Sequence, residues 1–129
     1  MSKVHIISII DDDASVRAAM QDLVNSLGFV ACVFESAEDF LRSPEIHETS
    51  CVITDIQMPG MNGEELQRHL LAQGLRMPII FITAFPEKCL RARVEAAGAL
   101  AFLEKPFDGG VLVSSLRHAL MRDGEVARD

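Results

Sequence analysis

At 129 residues the chain has the length of one domain, with no room for a second of ordinary size. With 49% hydrophobic and 24% charged residues it falls among soluble globular proteins, and no apolar run approaches the ~20 residues of a membrane span. Lys and Arg number 12 against 19 Asp and Glu, a net charge of −7, and no window gathers the basic patch that phosphate backbones require, so the chain itself is not expected to bind nucleic acid.

Met1-Ser2-Lys3 lead straight into an apolar run at 4–10 with no signal-peptide pattern, which predicts a cytoplasmic protein. That run, rich in Ile, has strand length and ends at Asp11, Asp12 and Asp13, the last placed to cap a helix. Val16, Met20, Leu23, Val24 and Leu27 then repeat at helical spacing up to Gly28. A second strand is expected at 30–34, and Ser36-Ala37-Glu38-Asp39 reads as the start of a second helix. The third strand, 51–54, runs into Asp55; Asn62-Gly63-Glu64-Glu65 opens a third helix carrying Leu66 and Leu70 and stopping at Gly74. A fourth strand at 78–82 meets Thr83 and is followed by Leu90, Val94 and Ala97 at helical spacing before Gly98. The fifth strand, 100–103, leads to Lys105, and Leu112, Leu116, Ala119 and Leu120 mark the last helix. A domain over 1–121 is expected, with 122–129 as a charged tail or linker stub.

Five near-continuous apolar strands alternating with amphipathic helices give an α/β fold, a (βα)5 doubly wound parallel sheet covered on both faces with right-handed crossovers. In such a sheet ligands bind beyond the carboxyl ends of the strands. There the sequence delivers the Asp11-Asp12-Asp13 cluster, the carboxylate of Asp55, the hydroxyl of Thr83 and the ammonium of Lys105. If the first and third strands are neighbours, Asp11, Asp12 and Asp55 repel one another, each close pair by about 4 kcal/mol at an effective dielectric near 20. Hard oxygen ligands in a partly open site suit Mg²⁺. A lysine, a hydroxyl and a metal converging on one carboxylate are the parts needed to stabilise a phosphoryl group moving onto it.

The segments Ile10-Asp11-Asp12, Thr54-Asp55-Ile56-Gln57-Met58-Pro59-Gly60-Met61-Asn62-Gly63, Ile82-Thr83-Ala84 and Phe102-Leu103-Glu104-Lys105-Pro106-Phe107, in that order, resemble the CheY-like receiver domain of bacterial two-component response regulators. The resemblance spans about residues 4–121 and is nearest to receivers that precede a LuxR-type helix-turn-helix output domain. It implies a flavodoxin-like sheet of order 2-1-3-4-5. It further implies that Asp55 accepts a phosphoryl group from a sensor histidine kinase. Asp12, Asp55 and the backbone carbonyl of Gln57 would hold Mg²⁺, with Asp11 acting mainly through a water. Lys105 and Thr83 would each hold a phosphoryl oxygen, and Phe102 would be the switch aromatic that turns inward with Thr83. The resemblance also implies a cis Lys105-Pro106 bond and an output surface on helix 4, strand 5 and helix 5, often a phosphorylation-dependent homodimer interface. Transcriptional control would then run through a domain absent from these 129 residues or through a partner.

Three other classes fit less well. A haloacid-dehalogenase-like phosphohydrolase also pairs a nucleophilic Asp with a Lys, a hydroxyl and Mg²⁺, but its nucleophile ends the first strand, and here Gln57 stands where its general acid would be. A flavodoxin-like electron carrier needs a phosphate-cradling loop after the first strand, where Asp11-Asp12-Asp13 would repel phosphate. A phosphorylation-inactive pseudo-receiver would have lost one of the positions named above, and all are present. His5, His47, His69 and His118 lack ligand spacing, and Cys32, Cys51 and Cys89 form neither a CxxC nor a zinc pattern, so reduced thiols are expected. Met58 and Met61 are assigned to packing.

Overall fold

A computed structural model describes residues 4–122, and the chain order is β1 (Ile6–Ile10), α1 (Ala14–Ser26), β2 (Val30–Phe34), α2 (Ala37–Arg42), a 3₁₀ turn (Pro44–Glu48), β3 (Thr49–Asp55), α3 (Gly63–Ala72), β4 (Ile79–Thr83), α4 (Lys88–Ala96), β5 (Ala101–Glu104) and α5 (Gly109–Arg122). The strands form one parallel sheet in the order β2-β1-β3-β4-β5, so β1 and β3 are neighbours as the acidic cluster requires. The helix α5 runs through Arg122, the residue at which a tail was expected to begin. The remainder of that expected tail, 123–129, lies outside the described residues.

Strand periodicity divides the core into two layers. Val52 of β3 and Ile79 and Phe81 of β4 pack with Phe40, Leu66, Leu70, Leu90 and Val94 on the side covered by α2, α3 and α4. Cys51 and Ile53, with Ile80 and Ile82, point the other way and meet Met20 and Val24 of α1 and Leu112, Leu116 and Ala119 of α5. β3 is buried along its whole length, as the central strand of a doubly covered sheet must be. Burial pushes the Cys51 thiol up to about 12, whereas Cys32 is half-buried on edge strand β2 and Cys89 is exposed on α4.

The expected helix signals hold in detail. Asp13 caps α1 by accepting the Ser15 N–H, Ser36 caps α2 through the Asp39 N–H, and Asn62 and Glu65 form a reciprocal capping box at α3. Gly28, Gly74 and Gly98 take positive φ just past α1, α3 and α4. Two strand boundaries differ from expectation by two residues, and the rest agree within one. β1 begins at Ile6 rather than residue 4, because pairing with both neighbours starts there and Val4 is exposed. β3 begins at Thr49, two residues before the apolar run, and its polar start is buried because the Thr49 and Ser8 hydroxyls hydrogen-bond at 2.7 Å. Among the described residues, no helix is long and apolar enough to cross a membrane.

Candidate functional site

The site is assembled where four strands end. Asp11 and Asp12 follow β1, Asp55 closes β3, Thr83 closes β4 and Lys105 follows β5. Asp11 is fully buried, Asp55 is 5% exposed and Asp12 faces solvent. Between the two buried carboxylates stands Lys105, with Nζ 3.0 Å from Asp55 Oδ2 and 3.0 Å from Asp11 Oδ2. Backbone donors hold the other oxygens: the Asp13 N–H donates to Asp11 Oδ1 at 2.9 Å and the Ile56 N–H to Asp55 Oδ1 at 2.7 Å.

One ammonium does not neutralise this cluster. Burial pushes the Asp55 carboxyl above its ordinary value, Lys105 opposes that push, and the Asp11 carboxylate reinforces it. Burial works against the Lys105 charge too, but its hydrogen bonds and attraction to Asp55 and Asp11 prevail and hold its pKa above the ordinary lysine value. Asp11 Oδ2, sealed from solvent, has the Lys105 ammonium as its ion-pair partner, and that ammonium is shared with Asp55. One carboxylate oxygen from each of Asp11, Asp12 and Asp55 lies within 4.8 Å of the other two. A surplus of negative charge around one shared ammonium and an all-oxygen donor set fit a small hard divalent cation such as Mg²⁺.

Thr83 is buried at the end of β4, and its hydroxyl is engaged by neighbours other than Asp55: it donates to Gln57 Oε1 at 2.5 Å and accepts the Phe85 N–H at 3.0 Å. Phe102 on β5 is half-buried, with the Arg91 guanidinium of α4 lying 5.7 Å above its ring. The Lys105-Pro106 bond is cis.

Three further residues support the site, and two of them, Arg17 and Glu38, lie outside the segments that carry the resemblance. Arg17 of α1 donates from Nη1 to the Asp11 carbonyl at 2.7 Å, fixing the backbone that carries the acidic cluster. Glu38 of α2 accepts the Met61 N–H at 2.9 Å and so anchors the loop that follows Asp55. That backbone hydrogen bond is the main reason the Glu38 carboxyl lies below its ordinary value. Gly60 makes the anchorage possible: its φ is +77°, and a Cβ there would stand 2.7 Å from Glu38 Oε2. The segment Ser36-Ala37-Glu38-Asp39 signals a helix start, but nothing in it signals this reach of 23 positions to Met61.

The model of the response regulator receiver domain matches residues 7–117. Transcriptional regulatory protein FixJ of Azorhizobium caulinodans is 35% identical over 122 residues, covering 95% of this chain and 58% of that protein. Response regulator protein TodT of Pseudomonas putida is 37% identical over 115 residues, covering 89% of this chain and 51% of that protein. The chain therefore spans between about half and three-fifths of the length of these curated relatives. Among solved structures, response regulator StyR superposes with a TM-score of 0.88 at 35% identity, covering 98% of this chain and 64% of that one. The crystal structure of FixJ-N gives a TM-score of 0.81 at 29% identity, covering 92% of this chain and 95% of that one. The chain belongs to the receiver-domain family of two-component response regulators, a signalling rather than a catalytic family, and has its CheY-like, flavodoxin-like fold.

Proposed function

We propose that Asp55 is the phosphoacceptor of this receiver and that its partner is a sensor histidine kinase. The observation that carries this reading is the placement of Lys105 Nζ 3.0 Å from Asp55 Oδ2, beside the Asp11 and Asp12 carboxylates. An Asp55 oxygen attacks phosphorus as the bond to the donor nitrogen breaks, and the phosphoryl group passes to the carboxylate. Lys105 neutralises one phosphoryl oxygen, and Thr83 moves to donate its proton to another. Asp11, Asp12, Asp55 and the Gln57 carbonyl are the residues that would hold Mg²⁺, which when bound supplies positive charge against the transferring oxygens.

Output is proposed to run through the face of α4, β5 and α5. Arg91, Phe102, Leu103, Pro106 and Val111 line a cavity of about 410 Å³ there, and a shift of Phe102 toward Thr83 would remove the ring from beneath Arg91. Phosphorylation should favour a homodimer through this face, which takes only a few kcal/mol of differential binding. The names of the relatives FixJ and TdiR, both transcriptional regulatory proteins, support transcriptional control as the whole protein's output, with no direct nucleic-acid binding by this acidic chain.

Acetyl phosphate with Mg²⁺ should add one phosphoryl group by intact mass, and Asp55→Asn should abolish it. Labelling that survives Asp55→Asn overturns the assignment. Light scattering before and after phosphorylation tests the dimer, and an unchanged mass at full phosphorylation counts against it.

A further inference from the structure

We propose that the Gln57 side chain is a latch on the switch hydroxyl, competing with the phosphoryl group for the single proton of Thr83. It rests on Asp55 being the phosphoacceptor. Asp55 pairs with Ile82 across β3 and β4, so the loop residue two after Asp55 comes alongside the residue one after Ile82. That juxtaposition puts Gln57 Oε1 2.5 Å from Thr83 Oγ1.

A threonine hydroxyl has one proton to give. Here it is given to Gln57, while the oxygen accepts the Phe85 N–H at 3.0 Å, so both directions of the hydroxyl are fixed. To hydrogen-bond a phosphoryl oxygen, Thr83 must withdraw its proton from Gln57. A phosphoryl oxygen is charged and is the stronger acceptor, so phosphorylation wins the exchange. The margin is reduced by the bond that is lost, and Gln57 thereby sets how much the unphosphorylated state is preferred. Gln57 is a positioning residue in this scheme, acting through Thr83, and its side chain is separate from the backbone carbonyl assigned to the metal. As an exposed loop residue, it could otherwise be read as a solvated side chain with no role.

The test is the affinity for beryllofluoride, a phosphoryl mimic, measured by calorimetry at saturating Mg²⁺ on wild type, Gln57→Met, Thr83→Ala and the double variant. Gln57→Met keeps the side-chain length without the acceptor, and Gln57→Asn, whose amide is one methylene short, serves as a second variant. Both should bind beryllofluoride about three- to tenfold more tightly than wild type, the weight of one net hydrogen bond. The gain should vanish in the Thr83→Ala background, because the latch then has nothing to hold. In metal-free protein the Gln57 side-chain amide resonances should move on Thr83→Ala. Equal or weaker binding by the Gln57 variants, an undiminished gain without the Thr83 hydroxyl, or unmoved amide resonances each overturn the latch. Wild-type protein that takes up no beryllofluoride instead overturns the phosphoacceptor assignment.

Discussion

Gly63, the first residue of α3, lies against the end of the strand that carries Asp55: a Cβ added to it would stand 2.4 Å from the Asp55 carbonyl oxygen and 3.0 Å from the Ile56 Cα. The Gly63 N–H donates to the Ile56 carbonyl at 2.9 Å, so helix and strand end are held at closest approach. No flexible side chain is available to yield. Gly63→Ala should therefore destabilise the fold by about 1–3 kcal/mol and also slow acetyl phosphate labelling, because relief of the clash displaces Asp55 from Lys105. Denaturant unfolding and the rate of mass gain are the two measurements, and a variant of wild-type stability would show that the strand end moves freely.

The acidic cluster should respond in opposite ways to loss of an exposed carboxylate and loss of the ammonium. Asp12→Ala removes a solvent-facing member of a like-charged group, so the metal-free melting temperature should hold or rise while Mg²⁺ affinity falls. Lys105→Ala leaves Asp11 and Asp55 without their counter-ion and should cost about 1–3 kcal/mol in metal-free protein. Added Mg²⁺ should recover part of that loss. Thermal melts with and without Mg²⁺ distinguish these outcomes.

Acid should loosen the contact between α3 and α4. Arg93 donates to both Glu64 oxygens, at 2.7 and 3.1 Å, and this hydrogen bond holds the Glu64 carboxyl below its ordinary value. Because the folded-state value is depressed, the stabilisation is present at neutral pH and disappears as pH falls through the lowered pKa. Glu64→Gln should be slightly less stable than wild type at pH 7, within the small range of solvent-screened pairs. The difference should close below the ordinary glutamate range. Urea midpoints measured across pH for both proteins would reveal a difference independent of pH if the pair contributes nothing.

Phe85, two residues beyond Thr83, is 68% exposed. Its ring stands on the loop whose backbone binds the Thr83 hydroxyl, where a bulky apolar group would hinder a water approaching the phosphoryl group. Phe85→Ala should speed loss of the phosphoryl group several-fold, about 1 kcal/mol in barrier, with stability changed by less than about 0.5 kcal/mol. Decay timed in Mg²⁺ decides the matter, and an equal or slower rate removes the shielding role.

Strand ends were the most readable part of this chain. Asp55 and Thr83 close fully buried strands and Lys105 follows the half-buried β5, so the alternation of strands and helices brings their ends to one edge of the sheet, while the strand order comes from the family resemblance. Thr49 and Ser50 were unreadable as strand because hydropathy sees only apolar runs, and their burial depends on partners such as Ser8 and His5 that lie 41 and 45 positions away. The same reason hides the links between Gln57 and Thr83, Glu38 and Met61, and Glu64 and Arg93. Each joins ordinary surface residue types across a gap with no periodicity, and only the folded backbone sets them side by side.

The ammonium that completes the site arrives late. Lys105 lies 50 positions after Asp55, and at ordinary rates of translation that gap corresponds to on the order of several seconds of synthesis. A nascent chain that has emitted β1 to β4 already carries Asp11, Asp12, Asp55 and Thr83, but no Lys105 to set against the carboxylates. Such an intermediate carries Asp55 without the ammonium that pairs with it in the complete chain. Completion of β5 is thus the step of synthesis that brings the counter-charge to the acidic cluster.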